Sequence, residues 1–162
     1  SWIVLRKDRF WVESKPKPDL AVLREVARRV AALVPKGEPI LTQDPYLAVE
    51  ANRPVPSGFE MGPFGFFADL SDEDAARYHV LNRNLAREAI ASSNAPVAAF
   101  SGYAFAMSAP ALARDDTLRA EMLGHAARFY KPAFIASDFG QEHTTLAIGI
   151  RRPPPADAGA SQ

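Results

Sequence analysis

The 162-residue chain contains no cysteine, carries no net charge and lacks any long uninterrupted apolar run. Without cysteine it can form neither a disulfide nor a metal site with thiolate ligands. Lys plus Arg and Asp plus Glu number 19 each, so the basic excess of a general nucleic-acid binder is missing. No window approaches the roughly 18 consecutive apolar residues of a membrane-spanning helix. We therefore expect no nucleic-acid partner and no span within these residues.

Motifs of several enzyme classes are missing as well. The apolar run that ends at Thr42 continues into Gln43-Asp44-Pro45 instead of the glycine-rich loop that cradles a dinucleotide. Pro45 lacks the N–H that would hold a phosphate, and Asp44 would repel one. Walker-type and Gly-x-Ser-x-Gly patterns are also absent. The three histidines lie far apart, without the spacing of a zinc site. The sequence therefore predicts no catalytic residue, no metal and no cofactor.

What is present is the composition of an ordinary globular protein, with 48% hydrophobic and 23% charged residues. At this length a single domain is the default. A stiff Lys-Pro-Lys-Pro spacer at 15–18 and a proline run at 153–155 mark its two ends. We expect residues 1–16 to form a membrane-proximal segment or an edge strand, 17–152 a single α/β domain, and 153–162 a flexible tail.

Amphipathic helices alternate with short apolar strands along this domain. The first helix should start at Pro18 and Asp19, with an apolar stripe formed by Leu20, Leu23, Ala27, Val30 and Val34. Buried strands are predicted over 39–42, 96–100 and 132–137, and a returning antiparallel strand over 144–150. Ser71 should cap a helical run that reaches about Ile90 and breaks near 80–82. Asp115 or Asp116 should cap the third long helix. The fold class is α/β, an open, mostly parallel sheet with flanking helices and a C-terminal antiparallel hairpin.

Residues 40–67 are the most informative stretch, and their polar members indicate a binding cleft. Asp44 can cap a short helix that Pro45 starts. Tyr46, Glu50 and Arg53 have the i, i+4, i+7 spacing of one helix face, at the carboxyl end of a strand where open α/β sheets bind ligands. With Asp44 and Glu60 they are the candidates for substrate or acceptor binding. The alternative is structural: Asp44 caps, Glu50 pairs with Arg53, and Glu60 anchors the loop backbone.

The same stretch contains too many apolar groups for an ordinary solvated loop. It has no helical or strand period, yet five large apolar side chains fall between positions 59 and 67: Phe59, Met61, Phe64, Phe66 and Phe67. They either belong to the core or form an apolar docking face for a membrane domain or a lipid surface.

The amino-acid sequence of this stretch resembles that of a known protein family. Asp-Pro-Tyr-Leu-Ala-Val-Glu-Ala-Asn-Arg at 44–53 is followed by Val-Pro-Ser-Gly-Phe-Glu-Met-Gly-Pro-Phe at 55–64. Both segments look like the soluble C-terminal part of prokaryotic polytopic glycosyltransferases. These are similar to dolichyl-phosphate-mannose protein mannosyltransferases and have the C-type membrane fold.

The resemblance implies a function for a larger parent protein. Such a parent transfers a sugar from a lipid-linked donor at the extracytoplasmic face of the cell membrane. Its catalytic carboxylate lies in a loop between membrane helices, so this chain would be non-catalytic by itself. It would cover the membrane active site or aid acceptor binding. Its partners would be the membrane domain of its own parent chain and a lipid-linked sugar or glycan acceptor.

Two other classes of function remain open at this stage. The chain could be a stand-alone soluble α/β enzyme or small-ligand-binding domain that uses Asp44 and Glu60. It could also be a purely structural or interaction domain.

Overall fold

A computed structural model describes residues 17–105, 116–140 and 144–153 of the chain. The predicted membrane-proximal segment, most of the predicted tail, and Asp115 as a helix cap lie outside these residues. The helices and strands, in chain order, are α1 (Asp19–Leu33), β1 (Ile40–Thr42), α2 (Pro45–Glu50), a 3₁₀ turn (Gly62–Gly65), α3 (Asp72–Tyr78), α4 (Arg83–Ser92), β2 (Val97–Phe100), α5 (Asp116–Ala127), β3 (Tyr130–Phe139) and β4 (Thr144–Arg151).

The four strands form one open, mixed sheet in the order β1-β2-β4-β3. The predicted α/β class and the antiparallel hairpin of β3 and β4 are confirmed. The prediction of a mostly parallel sheet is wrong, because only β1 and β2 pair in parallel, whereas β4 is antiparallel to both β2 and β3. The physical reason is that β4 turns back after β3 and inserts between β3 and β2. As a result, β1, β2 and β3 still run in the same direction, and their carboxyl ends lie at the same end of the sheet.

Helices cover both faces of the sheet, and alternate residues of β2 point into two separate cores. Val97 and Ala99 face a cluster built with α1 and α2, whereas Ala98 and Phe100 face one built with α4, α5 and the loop at 59–67, here called the aromatic loop. Most of the predicted α1 stripe is confirmed, because Ala27, Val30 and Val34 are buried and Leu23 packs against the core. Leu20 is exposed, and Val26 joins the core in addition.

The helix boundaries after the aromatic loop agree with the sequence prediction. The Ser71 hydroxyl accepts a hydrogen bond from the Asp74 N–H at 3.1 Å and caps α3. The helical run breaks at His79, whose φ of 55° is left-handed, and Asn82 then caps α4 by accepting from the Leu85 N–H at 2.8 Å. Local capping chemistry therefore decides where these two helices start.

The third predicted strand is present but is not buried as predicted. β3 lies at the edge of the sheet, and Ile135 in its middle is 68% exposed. An apolar run that looks like a central strand becomes an edge strand here because β4 occupies the inner position. Pro132 lacks the N–H of a ladder bond and therefore suits an edge strand or the start of a central one, and the pairing with β4 decides between the two.

Candidate functional site

Asp44 joins the carboxyl ends of the two parallel strands. It follows β1 and is only 3% exposed. Its carboxylate accepts hydrogen bonds from the Ser101 hydroxyl at 2.8 Å, the Ser101 N–H at 3.2 Å and the Tyr46 hydroxyl at 2.8 Å. Ser101 comes directly after β2, so this cluster ties the chain after one strand to the chain after the other. We call Asp44, Tyr46 and Ser101 the edge cluster.

The prediction that the Asp44 side chain caps α2 is wrong. Asp44 occupies the cap position, but its carboxylate makes no bond to the first turn of the helix. The Leu47 N–H instead donates to the backbone carbonyl of Asp44 at 2.9 Å, and Pro45 at the first helical position has no N–H to satisfy. Because the first turn of α2 does not use the carboxylate as an acceptor, the carboxylate can accept hydrogen bonds from Ser101 instead.

Burial sets the protonation chemistry of the edge cluster. Removal from water raises the pKa of Asp44 above its ordinary value, and the hydrogen bonds from Ser101 and Tyr46 offset this only in part. Burial, together with the negative charge of Asp44, raises the pKa of the Tyr46 hydroxyl well above its ordinary value. Tyr46 therefore stays a neutral donor to Asp44 across the physiological pH range.

Tyr46 presents an aromatic surface at this carboxyl end of the sheet. Its ring stacks on Phe139 at the end of β3, with the ring centroids 5.7 Å apart, and its hydroxyl is held by Asp44. The side chain is nevertheless partly exposed, as is that of Tyr103 in the turn after β2. Of the predicted binding residues, Tyr46 thus combines a fixed position with access to solvent.

Gln43 and Arg119 hold the turn that follows β2 from two sides. The Gln43 side-chain oxygen accepts from the Phe105 N–H at 2.7 Å, and the Arg119 guanidinium donates to the Ser101 carbonyl at 3.3 Å. Gln43 Nε2 and Arg119 Nε are buried and have no hydrogen-bond partner within the described part of the chain. Sequence reasoning missed Ser101, Gln43 and Arg119. The signal for the first two was that each lies just after a predicted strand.

The remaining polar candidates do not join the edge cluster. Glu50 pairs with Arg24 on α1 at 3.4 Å, in an exposed position. Arg53 lies beyond the end of α2 and donates to the carbonyls of Val34 at 2.9 Å and Ala31 at 3.2 Å, which closes the end of α1. The alternative in which Glu50 pairs with Arg53 is therefore wrong, because both residues turn toward α1.

Glu60 serves the loop itself. Its carboxylate accepts from the Gly58 N–H at 2.7 Å, as the structural alternative predicted. The single helix face predicted for Tyr46, Glu50 and Arg53 is not formed, because α2 ends at Glu50. Asp44 and Glu60 bind different parts of the chain, so the predicted polar cleft is not assembled around them.

The five apolar residues of the loop divide into two groups. Phe59 and Phe66 are buried in the core beneath α4 and α5, with Phe66 edge-on to Phe105 at 5.3 Å. Met61, Phe64 and Phe67 are 62%, 67% and 42% exposed. We call these three exposed side chains the apolar loop face. The core and docking interpretations each apply to part of the stretch.

The loop that carries this face is held firmly. A Cβ at Gly62 would lie 2.7 Å from the Gln43 carbonyl oxygen, and φ there is +59°, so the loop presses its backbone against the strand end. The Phe67 N–H donates to the Leu81 carbonyl and the Leu81 N–H to the Gly65 carbonyl, both at 2.8 Å. The apolar loop face is therefore a fixed part of the surface.

Comparisons with protein-family models, with curated proteins and with solved structures find no match for this chain. Within the described ranges, no three His, Asp or Glu side chains are grouped so that they could hold a metal ion. None of the helices described is both long enough and apolar enough to cross a membrane.

Proposed function

We propose that this chain is an extracytoplasmic domain of a membrane glycosyltransferase that uses a lipid-linked sugar donor, and that it is not catalytic by itself. It covers the active site of the parent's membrane domain by docking through the apolar loop face. The resemblance of residues 44–64 to such enzymes supports the family. One structural observation carries the docking role: Met61, Phe64 and Phe67 stay exposed on a loop whose other side is core.

The arrangement of the polar residues favours a role in covering the active site and not a catalytic role. A catalytic or acceptor-binding carboxylate needs access to its substrate. Asp44 is buried under three hydrogen bonds and lacks that access, whereas the carboxylate of Glu60 is exposed but binds a different part of the chain, the Gly58 N–H. A sugar of the donor or acceptor that reaches this domain would meet the partly exposed ring of Tyr46, which Asp44 and Phe139 hold in place.

Leaving apolar side chains of a well-packed loop exposed to water also has a cost in free energy. Three large side chains that are 42–67% exposed forgo part of the roughly 1.5–3 kcal/mol that full burial of each would contribute. Large exposed apolar patches on globular domains often mark the surface that a partner covers. A membrane domain attached to the same polypeptide would meet this surface without the full entropic cost of association between separate molecules.

The test compares an exposed phenylalanine with a buried one. Phe64→Ser in the full-length parent should lower glycosyl transfer, while the thermal unfolding midpoint of the 162-residue chain stays unchanged. Phe66→Ser should lower that midpoint, because Phe66 is buried in the core. Val49→Ser is the matched control, since Val49 is exposed on α2 and is not part of the apolar loop face, and it should change neither quantity.

Two results would contradict the proposal. One is full transfer activity with Phe64→Ser. The other is robust sugar transfer from polyprenyl-phosphate donors by the isolated chain, which should show only background. The first would remove the docking role, whereas the second would give this chain catalytic groups of its own.

A further inference from the structure

An open groove of about 640 Å³ lies between the loop at 57–60, α3 and α4. Part of its lining is aliphatic, with Leu81, Leu85 and Ala89 among the residues that contribute. The imidazole of His79 and the carboxylates of Glu60 and Glu88 also line it. Neither the edge cluster nor the apolar loop face includes this groove, although Glu60 is the residue before Met61.

The groove carries negative charge because the basic groups of α4 turn away from it. Arg83 and Arg87 pair with Glu121 on α5 at 3.6 Å and 3.1 Å. Glu88 is next to Arg87 in sequence but lies on the groove side of the same helix, and within the described ranges it makes no ion pair. Helix α4 thus carries its two arginines on the side of α5 and the carboxylate of Glu88 on the side of the groove.

The surrounding sequence has the same sign. Residues 54–92, which contain the whole lining, include six acidic residues against three arginines and no lysine, although the whole chain is neutral. No lysine or arginine is among the residues that line the groove. Anionic lipid headgroups would be repelled by this field, and a cationic group near the aliphatic lining would be attracted.

The groove is formed before any partner binds. Gly58 has a φ of +87°, and a Cβ there would lie 2.8 Å from Leu81 Cδ2, so the loop wall is packed directly on the α3–α4 connection. The hydrogen bonds between Leu81 and the loop backbone at Gly65 and Phe67 fix the same wall. A partner therefore meets an ordered surface and loses little binding free energy to ordering the groove.

We infer that this groove binds a segment of a partner protein in which Lys or Arg stands beside aliphatic residues. The aliphatic groups would cover Leu85 and Ala89, which are partly exposed, and the cation would lie between Glu60 and Glu88. A second copy of this chain is a weaker candidate, because its net charge of zero gives two copies no net long-range attraction. The charge pattern of the groove holds whether or not the chain belongs to a glycosyltransferase.

The test uses the 162-residue chain and two model amphipathic peptides, one built of Leu and Lys and one of Leu and Glu. Binding is measured by calorimetry and by amide chemical-shift changes at about 0.15 M salt, where charges separated by more than about 8 Å are largely screened. The Leu/Lys peptide should shift amides of α4 and the α3–α4 connection. Glu60→Gln/Glu88→Gln should weaken its binding at least tenfold.

A matched variant separates the groove from net charge. Glu38→Gln/Glu50→Gln changes the net charge equally at sites outside the groove, one half-buried and one exposed, and should leave the Kd within twofold. Equal weakening by both variants would overturn the inference, as would equal binding of the Leu/Glu peptide. Binding to anionic vesicles, or self-association that Glu60→Gln/Glu88→Gln abolishes, would overturn it by identifying a different occupant.

Discussion

Replacing Asp44 should destabilise the chain because it breaks the link between the ends of β1 and β2. In Asp44→Ala, the buried hydroxyl and N–H of Ser101 lose their acceptor. A buried donor left unsatisfied costs about 1–3 kcal/mol, and relief of the desolvated carboxyl offsets part of the total. The Tyr46 hydroxyl adds little to the loss, because its partly exposed side chain can bind water. We expect a net loss of about 2–4 kcal/mol in the free energy of unfolding.

Urea unfolding followed by circular dichroism measures this loss, and two comparisons make it specific. Asp69→Ala removes an exposed carboxylate and should change the unfolding free energy by less than about 0.5 kcal/mol. Ser101→Ala combined with Asp44→Ala should cost less than the sum of the single changes, because both remove the same hydrogen bond. A loss below about 0.5 kcal/mol for Asp44→Ala, or strict additivity with Ser101→Ala, would refute the proposed link.

The pH dependence gives an independent check on the same residue. Because burial raises the pKa of Asp44 in the folded state, the folded chain binds this proton more tightly than the unfolded chain. The contribution of Asp44 is therefore complete below the unfolded pKa and decreases as pH rises through the folded pKa. The loss caused by Asp44→Ala should be larger at about pH 4 than at about pH 7. The opposite order would mean that the three hydrogen bonds outweigh burial.

Two further changes test the supports of the site by urea unfolding. Gly62→Ala should cost more than about 1 kcal/mol, since φ is +59° there and the new Cβ would meet the Gln43 carbonyl, whereas Gly124→Ala in α5 has open space and should be neutral or stabilising. No loss at Gly62 would mean that the loop is not pressed against the strand end. Arg53→Ala should cost about 1–3 kcal/mol because it frees the carbonyls at the end of α1, and a neutral result would show that water replaces the guanidinium.

Local chemistry in the sequence determined the elements of the fold. Ser71 as a cap, the break before Asn82, and Pro45 at a helix start were predictable because each depends on neighbours within a few residues. The α/β class followed for the same reason, from helical and strand periods that alternate along the chain. The position of Ser101 directly after an apolar strand was also evident from the sequence, whereas its hydrogen bond to Asp44 was not.

The tertiary structure decided how these elements pair and what each polar side chain binds. The insertion of β4 between β2 and β3 placed β3 at the edge of the sheet. Pro132, which has no N–H to donate, is compatible with an edge strand but also with the first residue of a central one, so it did not decide the position. Asp44 turned from its own helix to Ser101, 57 residues away in sequence, because two parallel strands end side by side. The loop phenylalanines divided into core and surface for a similar reason. Packing against α4 and α5 buried Phe59 and Phe66, and the sequence carries no period that distinguishes them from Phe64.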